Sequence, residues 1–201
     1  MKKILLIATY NNGKLLEIKQ ILNKIPFDLK SLGQISFKDN INESGKTFKE
    51  NAKLKAEYAG KKSGFLTLAE DSGLEVDHLR GKPGIYSARF APGSDQDRVN
   101  KVIRELIGIP EEKRTARFVC VAALFDPEKS KTIFFEGESR GLITEAPVGN
   151  NGFGYDPIFY NFNLKKTNAQ ASSEEKNLVS HRARALNKVR TFLLESIDSN
   201  H

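Results

Sequence analysis

Glu43, Glu70 and Asp71 form an acidic set that is well suited to metal chemistry in this 201-residue sequence. Glu70 and Asp71 directly follow an apolar run, so two adjacent carboxylates are expected at the end of a strand. A carboxylate that points inward requires a cation, a proton or a hydrogen-bond donor. Because no cysteine or histidine cluster lies nearby, these hard oxygen ligands indicate Mg²⁺, which usually also binds substrate phosphate. A turn with a purely structural Asp71 is the alternative.

A second candidate is the polar segment 9–14, Thr-Tyr-Asn-Asn-Gly-Lys, between a predicted strand and a predicted helix. Free backbone N–H groups and the positive end of the helix dipole favour an anion there. Lys14 adds a formal charge, and Thr9 and Asn11 offer side-chain hydrogen bonds. The glycine spacing of a Walker A loop is absent. Ordinary turn chemistry explains the same residues equally well.

The segment 149–159 combines three glycines with aromatic residues. Glycine lets the backbone approach a flat ring, and Phe153 offers a face on which a base can stack, worth about 1–3 kcal/mol. Asp156 is placed to accept from N–H groups of such a ring. A glycine-rich hairpin with packed aromatic side chains is the alternative.

Basic residues near the C-terminus form a fourth candidate, consisting of Lys176 followed by His181 and Arg182. On a helix such residues are usually solvated, which is the simpler interpretation. The neighbouring Ser180 is no evidence for a serine nucleophile, because adjacent helical residues point about 100° apart.

Charge and composition narrow the possible partners. The net charge of +7 comes entirely from residues 1–66, which hold 13 lysines and 6 acids. This excess predicts an anionic partner, either a phosphorylated small molecule or nucleic acid, or else a solubilising surface. The single cysteine, Cys120, excludes a disulfide framework. No membrane-spanning or secretory segment is recognisable, so a cytoplasmic protein is expected.

Periodicity predicts the elements that must position these residues. Strands are expected at 4–8, 65–69, 117–125 and 132–139, and helices after residue 14, after Thr47, after Ser94 or Asp95, and after Ser172. The helix after Thr47 is expected to end near Gly60, and the helix after Ser172 to continue unbroken. No linker or repeat is visible. We therefore expect one domain, 1–201, of mixed α/β class with an elongated, partly antiparallel sheet.

Together the four candidates supply phosphate contacts, a carboxylate-bound cation, a ring-stacking loop and cationic side chains. A Mg²⁺–nucleoside polyphosphate needs all of these. The simplest chemistry is attack of water on phosphorus.

The ordered motifs resemble those of the inosine triphosphate pyrophosphatase (ITPase) family nearly end to end. They are Thr9-x-Asn11-x-x-Lys14, Glu43-Ser44-Gly45, Thr47-Phe48, Asn51-Ala52, Lys55-Ala56, Asp71-Ser72-Gly73-Leu74, the segments 83–89 and 152–157, and Ser180-His181-Arg182. The resemblance implies an elongated mixed sheet with flanking helices and two lobes around a central cleft, and usually a homodimer. It also implies Mg²⁺-dependent cleavage of ITP, dITP and XTP to a monophosphate and pyrophosphate.

The resemblance further implies a role for each matching residue. Asp71 would be the proton acceptor and, with Glu43, a metal ligand. Residues implied to contact the polyphosphate are Thr9, Asn11, Lys14, Lys55 and Lys176. Phe153 would stack on the purine, with Asp156, His181 and Arg182 at the base edge, and Gly13, Ser72, Gly154 and Tyr155 are also expected to contact substrate. No membrane or stable nucleic-acid partner is expected.

Three departures from the family pattern affect the expected substrate preference. Glu70 replaces a frequent second aspartate, Asn151 replaces a glycine of the aromatic loop, and 168–170 differ from a more apolar and acidic stretch. None removes a residue assigned to chemistry. A pyrophosphatase for another nucleotide, such as a modified pyrimidine, and a nucleic-acid-binding module are the competing hypotheses.

Overall fold

A computed structural model of the chain describes residues 2–198. In this part of the chain seven strands form one mixed sheet in the order β2-β1-β3-β4-β5-β6-β7. The strands are β1 (Lys3–Ile7), β2 (Phe27–Ser31), β3 (Leu66–Val76), β4 (Thr115–Asp126), β5 (Lys131–Ile143), β6 (Phe159–Asn161) and β7 (Lys166–Thr167). The α-helices are α1 (Asn12–Ile21), α2 (Phe48–Ser63), α3 (Asp95–Glu105), α4 (Ser173–Val179) and α5 (His181–Asp198). These elements confirm the predicted mixed α/β class.

The sheet is parallel around β1 and antiparallel at its far edge. β1 pairs in parallel with both β2 and β3, and Ile7 lies opposite Leu68. Past the end of β1, Ala8 N donates to Leu68 O at 2.8 Å. β1 ends opposite Leu68 while β3 runs on to Val76, so the polar segment after β1 begins beside Glu70 and Asp71 of β3. β6 pairs antiparallel with β5 and β7.

The chain divides into two compact units, with β3, β4 and β5 each contributing residues to both. Unit 1 comprises, among described residues, 2–71, 120–136 and 183–198, and unit 2 comprises 72–119 and 137–182. That the chain folds as one domain stays a prediction.

The core of unit 1 is formed by β1, the first part of β3, the end of β4, α1 and α5. Its fully buried members include Leu5, Ile7, Leu68, Ile18, Leu22, Cys120, Leu186 and Val189. Cys120 is a buried thiol on β4, as its apolar setting predicts. This packing fixes α1 against β3, the strand that carries Glu70 and Asp71.

The core of unit 2 contains Leu74, Val76, Val102, Leu106, Ile143, Ile158 and Phe159, with Tyr155 packed among them. The sequence allowed either Ser94 or Asp95 as the cap of α3. In the structure Ser94 is the N-cap residue and forms a reciprocal capping box with Asp97.

Two helix predictions are wrong in detail. The predicted C-terminal helix is broken at Ser180, which is extended (φ −66°, ψ 155°), so α4 ends at Val179 and α5 begins at His181. The helix after Thr47 continues past Gly60 and ends at Ser63, followed by the C-cap residue Gly64, whose φ of 74° is left-handed. Gly60 is a packing residue, because a Cβ there would lie 2.4 Å from the Phe125 ring.

Within residues 2–198, no helix combines the length and apolar character that crossing a bilayer requires.

Candidate functional site

Several of the predicted site residues lie in two clusters, one in each unit. The first, called here the carboxylate cluster, consists of Glu43, Asn51, Lys55 and Asp71. Lys55 Nζ lies 2.7 Å from Glu43 Oε1 and 3.5 Å from Asp71 Oδ1. Asn51 Nδ2 donates to Asp71 Oδ2 at 3.0 Å. Asp71 lies in the middle of β3, which runs on to Val76 instead of ending at the two acids as the sequence predicted. The segment that carries Glu43 is thus joined to the middle of β3 through one face of α2.

Opposing charges and burial set the protonation of this cluster. Burial raises the pKa of the Asp71 carboxyl above its ordinary value, and the ammonium groups of Lys55 and Lys14 and the Asn51 amide only partly offset it. Burial lowers the pKa of Lys55, but Asp71, Glu43 and Glu70 outweigh that effect and hold it above its ordinary value. A carboxylate with a raised pKa is a better proton acceptor than a free aspartate, which suits a general base.

The donor set of the carboxylate cluster fits a magnesium ion. Two carboxylates face a single cationic position, which the Lys55 ammonium occupies in this structure. Mg²⁺ is commonly bound through one or two carboxylates, with water and substrate phosphate as the other ligands. Among residues 2–198, no group of three or more acidic, histidine or cysteine side chains is arranged as a metal site.

Lys14 and Glu70 form another ion pair of unit 1. Lys14 Nζ lies 2.9 Å from Glu70 Oε1, and the Glu70 side chain is fully buried. The Cys120 thiol donates to Glu70 Oε2 at 3.2 Å. Glu70 therefore holds Lys14 near Asp71 in this structure.

The predicted anion-binding segment 9–14 leads into α1. Asn11 is the N-cap residue and accepts from Lys14 N at 2.9 Å, while Thr9 Oγ1 accepts from Asn11 N at 3.2 Å. Gly13 lies in the first turn of the helix. The side chains of Thr9 and Asn11 thus shape a helix N-terminus, and their contact with phosphate stays a prediction.

The second cluster lies in unit 2 and is called here the aromatic cluster. It consists of Phe153, Asp156, Lys176 and Arg182. The Lys176 ammonium lies 5.1 Å from the centre of the half-buried Phe153 ring, and the Arg182 guanidinium lies 5.6 Å from it. Cations at this range are attracted to the face of an aromatic ring. Donor groups are therefore concentrated beside the predicted base-stacking residue.

Asp156 organises the loop that carries Phe153. Its Oδ2 accepts from Phe153 N at 3.0 Å and pairs with Lys176 Nζ, and its Oδ1 accepts from Asn168 Nδ2 at 3.0 Å. Gly152 makes this arrangement possible, because it has a φ of 76° and a Cβ there would lie 2.1 Å from Asp156 Oδ2. Asp156 is 2% exposed. A contact between its carboxylate and the base stays a prediction.

The remaining predicted residues of unit 2 support this cluster. Arg182 Nη2 donates to Ser72 Oγ at 3.0 Å. His181 is buried and stacks on Phe118, with ring centres 4.7 Å apart. Tyr155 is also buried, donates through its hydroxyl to Ser87 O, and has a pKa raised by burial. Gly154 N donates to Asp95 Oδ2 at 2.9 Å, which connects the loop to the first residue of α3.

Sequence reasoning assigned no chemical role to three residues that organise the clusters: Asn51, Asp95 and Asn168. Asn51 precedes Lys55 by four residues, so both lie on the same face of α2. This spacing could have identified Asn51 as a neighbour of Lys55 from the sequence. Asp95 and Asn168 carry no local signal, because their partners Gly154 and Asp156 are distant in the chain or lie in another loop.

Comparison with known proteins extends these findings. The sequence model of the Ham1 family matches residues 5–192. The chain is 49% identical over 191 residues to a Bacillus subtilis protein named dITP/XTP pyrophosphatase, covering 94% of this chain and 96% of that one. It is 42% identical over 196 residues to a Thermoanaerobacter pseudethanolicus protein of the same name, covering 96% and 98%.

Solved structures agree with the sequence comparison. A HAM1 protein from Coxiella burnetii superposes with a TM-score of 0.87 at 38% identity, covering 97% of this chain and all of the other. The Ham1 protein of Staphylococcus aureus superposes with a TM-score of 0.86 at 40% identity, covering 96% of this chain and all of the other.

Proposed function

The chain belongs to the Ham1 family, and from this membership and its two clusters we propose that it is a nucleoside-triphosphate pyrophosphatase acting on non-standard purine nucleotides. Its substrates would be ITP, dITP and XTP, and its products a nucleoside monophosphate and pyrophosphate. The observation that carries the proposal is the carboxylate cluster, in which Asp71 and Glu43 face one cationic position. The Lys55 ammonium occupies this position here, and the Lys14 charge also acts on Asp71.

In this proposal the carboxylate cluster and the segment 9–14 bind the triphosphate. Water attacks the α-phosphorus, its proton passes to Asp71, the bond from the α-phosphorus to the bridging oxygen breaks, and pyrophosphate leaves. Lys14 and Lys55 stabilise the negative charge that develops on the phosphate oxygens. Thr9, Asn11 and Gly13 contribute the polar groups of the α1 N-terminus.

We propose Mg²⁺ as the metal, with Asp71 and Glu43 as its protein ligands. When bound, this ion would neutralise phosphate charge and orient the triphosphate. With an ion held between the two carboxylates, the Lys55 ammonium would instead contact the phosphate oxygens.

The aromatic cluster would bind a purine base. Phe153 would stack on the purine, and Lys176, His181 and Arg182 would supply donors to a 6-oxo acceptor. Adenine carries an amino donor at that position, so buried donors facing it lose their partner, at a cost of about 1–3 kcal/mol. The position of Lys176 beside Phe153 supports a contact to the base, and its polyphosphate contact stays a prediction.

A cytoplasmic location and a homodimer are also proposed. The single cysteine supports the first, and family resemblance supports the second. Light scattering coupled to size-exclusion chromatography tests the dimer.

A panel of nucleotides tests the activity. Purified protein with Mg²⁺ is expected to release pyrophosphate from ITP, dITP and XTP with a kcat/KM roughly tenfold or more above that for ATP, given the cost of an unmatched donor. EDTA should remove the activity. Release of inorganic phosphate instead of pyrophosphate would contradict the proposed bond cleavage, and faster turnover of a pyrimidine triphosphate would favour the competing hypothesis.

The Asp71→Asn variant tests whether Asp71 is the proton acceptor. It retains the shape of Asp71 but is a poor proton acceptor, so turnover should be lost while calorimetry still detects binding of ITP. Full activity in Asp71→Asn would remove this residue from its assigned role.

A further inference from the structure

Asn51 is a fully buried amide of α2 that bonds in two directions. Its Nδ2 donates to Asp71 Oδ2 at 3.0 Å, and its Oδ1 accepts from the backbone N–H of Gly45 at 2.8 Å. One end of the amide therefore contacts the proposed base, and the other contacts the segment that carries Glu43.

The two oxygens of Asp71 face different side chains of α2. Asn51 holds Oδ2, while Oδ1 faces Lys55, which also contacts Glu43. Oδ1 is therefore the oxygen directed toward the cationic position shared with Glu43. Because Asn51 is neutral, its bond to Oδ2 persists when a charged group replaces the Lys55 ammonium at that position.

The contact with Gly45 fixes the other carboxylate. Gly45 lies two residues after Glu43, in a segment without regular secondary structure. A Cβ at Gly45 would lie 2.7 Å from Asn51 Oδ1, so glycine permits this close approach. The Asn51 amide thus limits how far the Glu43 segment moves away from Asp71.

Few side chains of this length meet both requirements. The site needs a donor toward Asp71 and an acceptor toward Gly45, which an amide supplies in one planar group. Aspartate would retain the acceptor but place a second carboxylate against Asp71, and alanine would remove both bonds.

We propose that Asn51 is a positioning residue for nucleotide hydrolysis, holding Asp71 Oδ1 and the Glu43 segment around their shared cation position. The inference rests on the proposed function, and it concerns the arrangement of the two carboxylates before substrate binds.

The test compares Asn51→Ala with Glu50→Ala. Glu50 Oε2 accepts from Lys46 N, so this control removes a neighbouring anchor of the same segment without touching Asp71. For each variant we would measure kcat and KM with dITP, and the Kd of Mn²⁺ without nucleotide by electron paramagnetic resonance.

Asn51→Ala should lower kcat and weaken Mn²⁺ binding about ten- to a hundredfold each, as for residues that orient metal ligands. Its KM should change less than about threefold, because the loss concerns the reacting groups more than ground-state binding. Glu50→Ala should change all three constants less than about threefold, since it leaves Asp71 in place. Equal effects of the two substitutions, or a change confined to KM, would overturn the inference.

Gly45→Ala keeps the inference testable if Asn51→Ala does not fold, as judged by circular dichroism. This substitution retains the amide, but a Cβ at Gly45 would lie 2.7 Å from both Asn51 Oδ1 and Glu50 Cβ and so push the Gly45 segment away from the amide. It should therefore produce the same pattern of weakened Mn²⁺ binding and lowered kcat. Unchanged Mn²⁺ binding in Gly45→Ala would count against the proposal. If the wild type releases no pyrophosphate from dITP, the proposed function fails, and the Mn²⁺ measurement still decides the role of Asn51.

Discussion

Lys176 and Asp156 form an ion pair in which the two residues are only 4% and 2% exposed. Asp156 also accepts from Phe153 N and Asn168 Nδ2, so one carboxylate joins α4, the aromatic loop and the 168–170 turn. Burial of both charges makes this pair costly to separate, since removing one partner of a buried pair leaves the other poorly compensated.

Asp156→Asn is therefore expected to reduce the free energy of unfolding by about 3–5 kcal/mol, measured by urea denaturation. Lys176→Met should cost less, because the remaining carboxylate keeps its two N–H donors. The double variant should be more stable than the sum of the single effects predicts. Strictly additive losses would show that the pair contributes no coupling.

Substitutions of Lys14 and Glu70 can distinguish the effect of their ion pair on stability from the effect of Lys14 on substrate binding. Lys14→Met removes the ammonium from a fully buried carboxylate and should cost about 3–5 kcal/mol of stability. It should also raise KM for dITP, because a phosphate contact is lost. Adding Glu70→Gln should restore most of the stability, measured by thermal unfolding, without restoring KM. Recovery of KM in the double variant would contradict a direct role of Lys14 in phosphate binding.

Phe153 is predicted to contribute stacking energy. Phe153→Leu removes the aromatic face and should weaken ITP binding by about 1–3 kcal/mol, or roughly 5- to 150-fold. Phe153→Tyr keeps that face and should bind ITP nearly as tightly as the parent. Calorimetry in the Asp71→Asn background measures both affinities without turnover. Equal affinity of the leucine and tyrosine variants would exclude stacking on this ring.

Asp95 is expected to make stability depend on pH. Burial raises the pKa of its carboxyl, but the hydrogen bonds from Arg98 and from Gly154 N–H outweigh burial and hold it below its ordinary value. A lowered folded-state pKa stabilises the protein above the unfolded value of about 4, and this contribution is lost as pH falls through the folded pKa.

The wild type should accordingly exceed Asp95→Asn in stability at pH 7, by less than about 1 kcal/mol because the side chain is half exposed. The difference should shrink as the pH is lowered below about 4, measured by urea unfolding at each pH. A difference that stays constant with pH would show that the carboxylate charge is not responsible.

Local signals predicted the starts of the helices better than their ends. Thr47, Ser94 and Ser172 cap α2, α3 and α4 through side-chain bonds to backbone three residues on. Such bonds depend only on neighbouring residues, so spacing reveals them. The break at Ser180 has no proline or glycine to mark it, and Leu178 beside it is 79% exposed despite its helical spacing. Tertiary packing sets the boundary between α4 and α5, so the local sequence pattern does not predict it.

Sequence reasoning proposed residues for the candidate site but did not predict which side chains they contact. Lys55 was expected to contact polyphosphate, and in this structure it faces Glu43 and Asp71. Asn51 and Asn168 were noted without a chemical role, because their importance depends on the strand and loop packed against them. Both contacts depend on how segments that are distant in the chain pack together, and hydrophobic periodicity does not reveal that packing.

Strand alternation has a consequence for the two adjacent acids. Along β3, Leu68 and Glu70 point toward the core formed with α1 and α5, and Asp71 points to the other side, toward α2. Successive carboxylates are thereby assigned to different helices, one to Lys14 and the other to Asn51 and Lys55. Inserting a single residue before Glu70 would reverse this assignment. A protein altered in this way would retain every acidic and basic side chain and still be unable to bring Asp71 to Lys55.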